Sequence, residues 1–244
     1  MHKVLFLLLV MLSPLAFGAD TIPTVNLSLS APNSPQQLVT SMNLVLVLTI
    51  LVLAPSLVFM MTSFLRLLIV FSFLRQALGT QQMPPSQVMV SLAMILTFFI
   101  MEPVMKDSYE QGIKPYLAEK ITYQEAFEKG VGPFKAFMVR NTREKDLALF
   151  FRIRNLENPK NMEDIPLTVA MSGFMISELK TAFEIGFLLY LPFLVIDMVV
   201  SSVLMAMGMM MLPPVMISLP FKLLIFVLVD GWNLLVQKLV ESFH

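Results

Sequence analysis

From Thr21 to Leu65 the chain carries no charged residue, and that gap limits what it can fold into more than any motif does. The apolar stretch from Met42 onward exceeds the roughly 20 residues a helix needs to cross a hydrocarbon core of about 30 Å. In lipid the backbone must satisfy its own hydrogen bonds, which leaves a helix as the economical solution for such a segment. Gln76 to Met101 is again uncharged, and two largely apolar segments follow, Phe183 to Met207 and Val215 to Val236. Only 14% of the residues are charged and the mean hydropathy is +0.77, whereas soluble domains carry about 25% charge. The expected fold is all-α: a membrane-associated protein of two long helical hairpins flanking a mostly helical, water-facing middle domain.

The N-terminus has the three-part layout of a secretory signal peptide. His2 and Lys3 precede the apolar run Val4 to Leu12, and the small-residue stretch Ala16-Phe17-Gly18-Ala19 follows. Residues 1–18 are read as the signal, with cleavage after Gly18, which puts Ala16 and Gly18 at the two small-residue positions, or after Ala19. Residues 20–41, rich in Pro, Ser, Asn and Gln, read as a flexible extracytoplasmic segment. Residues 42–105 form the expected first hairpin. Its first helix runs on from Leu44 past Arg66 to about Leu74, near 50 Å at about 1.5 Å per residue. Residues 106–170 form a soluble extracytoplasmic helical domain, with 11 Lys/Arg and 10 Asp/Glu between Lys106 and Asp164. Residues 171–238 form the second hairpin. Each hairpin turn combines a glycine with a Pro-Pro pair, Pro84-Pro85 and Pro213-Pro214, and Met89-Val90-Ser91-Leu92 echoes Met216-Ile217-Ser218-Leu219. With an exported N-terminus the turns face the cytoplasm, and Arg66 and Arg75, without acidic neighbours, suit that side.

Candidates for catalysis are few. His2 lies in the signal and His244 ends the given sequence, cysteine is absent, and no glycine-rich phosphate loop or Gly-x-Ser-x-Gly elbow occurs. No catalytic residue, metal ligand or cofactor is assigned. A net charge of zero provides no field for nucleic acid. The informative charges are Asp197 and Lys222, each set in an apolar helix, where ionised groups cost about 2.5–3.5 kcal/mol on insertion scales. The mean of 197 and 222 falls between Met209 and Met210, so a hairpin turning there brings both to one depth. They either pair, within one subunit or between neighbours, or sit solvated outside the bilayer. Arg66 and Glu102 flank the first turn less symmetrically, and with Glu178 and Lys180 they are candidate assembly contacts. Lys180 to Glu184 is an i,i+4 pair, worth tenths of a kcal/mol if exposed. Met209, Met210 and Met211 at a hairpin tip have little core to fill, and flexible thioethers there suit a soft seal.

Pro55-Ser56-Leu57, Thr62 to Arg66, Leu74 to Pro85, Ser177 to Phe183, Phe187 to Asp197, Met209 to Pro214, Leu219 to Lys222 and Asp230-Gly231-Trp232 together resemble the signatures of the FliP family. The resemblance covers about residues 54–104 and 170–233. It implies a non-enzymatic subunit of the flagellar type III protein-export gate, in the bacterial inner membrane at the flagellar basal body. It also implies a pentamer around a channel for unfolded flagellar proteins, with FliQ-type and FliR-type subunits and FlhA-type and FlhB-type export proteins as partners. By the same resemblance Met209, Met210 and Met211 correspond to a pore gasket and Asp197 and Lys222 to paired intramembrane charges, while much of the helical assembly is lifted out of the bilayer plane. The related virulence type III secretion subunit shares the second-half motifs and usually lacks a cleavable signal, so the signal here favours the flagellar branch. A secondary transporter using Asp197 as an ion site is the reading from a different class.

Overall fold

A computed structural model describes residues 35–80, 84–157, 159, 161–209 and 212–243. The expected signal peptide, Met210, Met211 and His244 lie outside the described residues. The chain divides into two compact units, Met1–Thr49 and Ile50–His244. Among the described residues there is no strand, and the fold is all-α.

Helix α1 is Pro35–Met60, so it starts inside the segment read as flexible; Gln36 to Thr40 form its first turns. α2 is Phe64–Ala77. The single helix expected to run to about Leu74 is therefore broken at Met61-Thr62-Ser63, where the Thr62 hydroxyl donates to the Phe59 carbonyl. α3, Ser86–Ser108, passes through a π turn at Tyr109–Ile113 into the short α4, Lys114–Leu117. α5 is Tyr123–Arg140 and opens on a capping box: Thr122 Oγ1 accepts from the Glu125 amide, and Glu125 Oε2 accepts from the Thr122 amide, which satisfies two otherwise orphan donors. α6 is Glu144–Ile153. α7, Leu167–Ala206, has 40 residues, so one helix of roughly 60 Å joins the middle region to the second hairpin, starting four residues before the expected boundary at 171. α8 is Pro214–Leu228 and α9 is Gly231–Glu241; the two meet at a 65° bend on Asp230, whose φ is +51°.

Within residues 50–244 the core forms where α2 lies along α7. Leu67, Val70, Phe71 and Leu74 are buried at the i, i+3, i+4, i+7 spacing of one helix face. They meet Phe174 and Ala182 of α7, Ala93 and Met101 of α3 and Leu239 of α9. Full burial of each large aliphatic or aromatic side chain is worth about 1.5–3 kcal/mol, so this seam holds the hairpins together. Gly186 permits the close approach, since a Cβ there would stand 2.5 Å from Phe73 Cδ2. A smaller cluster of Val139, Phe151, Ile165, Val169 and Ala170 packs α5 and α6 on the start of α7.

Among the described residues, three helical stretches are long and apolar enough to cross a membrane: Ser41–Met60, Ser86–Leu117 and Leu167–Ala206. The bent pair α8 and α9 makes a fourth if it counts as one span.

Candidate functional site

Both helices that lead into the hairpin turns are followed by a left-handed glycine. Gly79 follows α2 with φ +76° and Gly208 follows α7 with φ +75°, the left-handed geometry that glycine adopts without cost. After α7 the Gly208 amide donates to the Met205 carbonyl and the Met209 amide to the Leu204 carbonyl, the paired bonds of a Schellman ending. After α2 the Gly79 amide donates to Gln76 O, and a side chain, Thr80 Oγ1, approaches Arg75 O at 3.5 Å. The Schellman ending leaves Met205, Met207 and Met209 outside the core, at 62%, 60% and 40% exposure. Met209 is the only residue of the Met209–Met211 triplet among the described residues.

Between the turns lies the first buried ion pair. Lys222 Nζ donates to Asp197 Oδ2 at 2.7 Å and to the Ala77 carbonyl at 3.0 Å. The Ser218 hydroxyl donates to Asp197 Oδ1 at 2.6 Å. Lys222 is almost wholly buried, and Asp197 keeps 27% exposure toward a cavity of about 460 Å³. Lys222 therefore joins three elements: it neutralises a carboxylate on α7, and it satisfies a carbonyl at the end of α2, where the helix dipole favours a cation. Ser218 and Ala77 were missed from sequence. Ser218 had a readable signal, since it lies four residues before Lys222 and shares its helix face.

Arg66 and Glu178, two of the four candidate assembly contacts, form the second pair, within one subunit. Arg66 Nε donates to Glu178 Oε2 at 2.8 Å, and its Nη2 donates to Oε1, a two-pronged geometry that suits guanidinium and carboxylate. Arg66 Nη1 also donates to Ser242 O at 2.9 Å and Ser242 Oγ at 2.8 Å, and its Cζ lies 3.7 Å from the Phe243 ring centre, a cation–π distance. Glu178 is wholly buried, not a solvated helix end. Glu102 is exposed on α3 and has no ion pair among the described residues. Lys180 sits 3.9 Å from Glu184, both about half exposed, and Glu184 receives a shorter bond from Arg143 at 2.6 Å. Arg143, Ser242 and Phe243 were not singled out from sequence. No spacing rule could have found them, because Arg66 and Ser242 are separated by 176 positions.

Among the described residues no group of three or more His, Cys, Asp or Glu side chains could hold a metal ion. What the arrangement does chemically is to neutralise charges inside an apolar bundle and to leave one turn lined with exposed thioethers. A family model described as "FliP family" matches residues 47–239. The chain belongs to the FliP family. It is 51% identical over 217 residues to a protein named flagellar biosynthetic protein FliP from Bacillus subtilis, covering 89% of this chain and 98% of that one. A Caulobacter vibrioides protein of the same name is 51% identical over 231 residues, 95% of this chain and 85% of the other. One from Aquifex aeolicus is 46% identical over 230 residues, 93% and 95% of the two chains. Both hairpin turns and all four members of the two ion pairs lie inside the span the FliP family model matches.

Proposed function

We propose that this FliP-family chain is a non-enzymatic subunit of the flagellar type III export gate in the bacterial inner membrane, and that the turn after α7 seals the channel through which unfolded flagellar proteins pass. The observation that carries the seal is the exposure of Met205, Met207 and Met209 around Gly208. Large apolar side chains held out of the core by a defined helix ending need another surface to cover them, and unbranched thioethers can deform and repack as that surface changes. Copies of the same turn around a ring axis supply such a surface. Phe183, Phe187, Leu191, Val195 and Val199 on α7 are also exposed, which suits contact with lipid or with neighbouring subunits.

The assembly read from the family is a pentamer with FliQ-type and FliR-type subunits, served by FlhA-type and FlhB-type proteins. No nucleic acid takes part, and the energy for export comes from elsewhere. The flagellar names of the relatives favour this apparatus over the virulence one. Against a transporter built on Asp197, both of its carboxylate oxygens are already engaged, by Ser218 and Lys222, which suits a structural pair better than a cargo-ion site.

Replacement of Met209, Met210 and Met211 by Ala tests the seal. The substituted protein is expected to assemble to the same mass by native mass spectrometry, and its reconstituted complex to conduct ions more readily than the parent. Unchanged conductance in an intact particle removes the seal.

A further inference from the structure

Two adjoining recesses lie beside the first turn, one of them on the open side of the Asp197–Lys222 pair. One is the polar cavity of about 460 Å³, lined by Ser72, Arg75, Thr80, Tyr190, Asp197 and Lys222. The other is an apolar groove of about 990 Å³, walled by Leu78, Met216, Leu219, Leu223 and Phe226, with Trp232 among its lining residues. Gly79, Thr80 and Val215 line both, so the two are contiguous.

The charges in the cavity do not cancel. Lys222 answers Asp197, and Arg75 remains. Arg75 Nη1 donates to the neutral Ser86 hydroxyl at 2.8 Å, and among the described residues Arg75 has no carboxylate partner. Two cations against one carboxylate leave one net positive charge. A guanidinium has five N–H donors, and the Ser86 bond uses one of them. The recess therefore offers donors and positive charge at one end and an uncharged apolar channel at the other.

We propose that this composite site holds one anionic phospholipid, with the phosphate on Arg75 and an acyl chain along the groove between Leu219 and Phe226. Charge complementarity selects the head, and basic pockets between membrane helices on the cytoplasmic side are known to suit anionic lipid heads. The apolar lining of the groove selects a lipid over a free anion, since an inorganic phosphate leaves that channel empty. Trp232, edge-on to Phe226, adds an aromatic wall to the groove. The inference rests on the membrane placement proposed above and not on the seal.

The test is lipid retention by the full chain, co-purified with its assembly in mild detergent, doped with phosphatidylglycerol or with zwitterionic phosphatidylcholine and read by native mass spectrometry. The parent is expected to retain phosphatidylglycerol about tenfold more than phosphatidylcholine, about 1.4 kcal/mol. Arg75→Gln should reduce this to the phosphatidylcholine level, whereas Arg75→Lys should retain most of the preference. Ser86→Ala removes the protein partner of Arg75 but keeps its charge, and retains the lipid if the charge is what matters. Leu223→Trp narrows the groove and should weaken retention with the helical content unchanged. Equal retention of the two lipids, or an Arg75→Gln protein that still prefers phosphatidylglycerol, overturns the proposal. So does displacement of the lipid by millimolar inorganic phosphate combined with no effect of Leu223→Trp, which would assign the cavity to a free anion. Retention by an acidic peptide in place of the lipid overturns it as well. Membrane fractionation of the same variants reads the membrane placement separately.

Discussion

Arg66→Met should be the most damaging single substitution in the core, and its cost can be worked from the contacts of its partner. Glu178 is wholly buried and accepts two charge-assisted hydrogen bonds from Arg66. Such bonds are worth about 1.5–3 kcal/mol each, and stranding a buried charge by deleting its partner costs about 3–5 kcal/mol. Glu178→Gln should cost less, about 1.5–3 kcal/mol, for two reasons. The amide oxygen still accepts one bond, and Arg66 keeps Ser242 O, Ser242 Oγ and the Phe243 ring. Arg66→Met with Glu178→Leu removes both charges and fills the space with apolar atoms, an exchange that is often neutral or stabilising. The double variant should therefore be more stable than Arg66→Met alone, with a coupling of about 2 kcal/mol or more. Denaturant titration of the purified chain in detergent, followed by circular dichroism, reads these proteins and the Glu178→Leu single variant that closes the cycle. An Arg66→Met cost below about 1 kcal/mol, or simple additivity of the two changes, would refute the account of the pair as a dry structural clamp.

Lys222→Met leaves Asp197 without a cation and Ala77 O without a donor. Because Asp197 is 27% exposed, water offsets part of the loss, and the cost should be nearer about 1–3 kcal/mol. Asp197→Lys combined with Lys222→Asp restores the charge pair but not the bonds to Ala77 O and from Ser218, so it should recover part of the assembled complex on native gels. Recovery no better than either single change removes the direct pair from assembly. Gly186→Ala places a Cβ 2.5 Å from Phe73 Cδ2 and should lower stability by about 1–3 kcal/mol through overpacking. Phe73→Leu in the same chain should return part of that loss; a melting midpoint unchanged by Gly186→Ala would mean that α2 and α7 can separate at no cost.

What was readable from sequence follows from which interactions are local. An αL glycine and a Pro-Pro pair mark a helix stop and start within a few positions, and both turns are legible for that reason. An antiparallel hairpin brings residues equidistant from its turn level with each other, so simple arithmetic puts Asp197 opposite Lys222. Such arithmetic finds no partner for Arg66, because α2 pairs mainly with α7, and that partner lies 112 positions away. The break at Met61-Thr62-Ser63 left no glycine or proline to announce it. α7 starts only four residues before the expected boundary at 171, and Val169 and Ala170 in that added turn are buried against the middle helices.

The two ion pairs grip α2 at its opposite ends, and this decides which parts of the molecule can move. Arg66 stands in the first turn of α2 and is held by Glu178 of α7. Ala77 is its last residue, and its carbonyl is held by Lys222, which is itself tied to Asp197 near the far end of α7. The buried seam of Leu67, Val70, Phe71 and Leu74 fills the distance between the clamps. Sliding α2 along α7 would part the buried Arg66 and Glu178 and take the Ala77 carbonyl from Lys222, whereas moving the turn beyond Ala206 breaks neither contact. Any opening of a channel by this protein is therefore expected to bend the chain about Gly208 and to carry α2 and α7 as one body. A disulfide between cysteines introduced on facing positions of α2 and α7 should leave export intact, whereas one that pins the methionine turn of one subunit to its neighbour should block it. Loss of export from the first cross-link would place the moving part in the helices and overturn this division of labour.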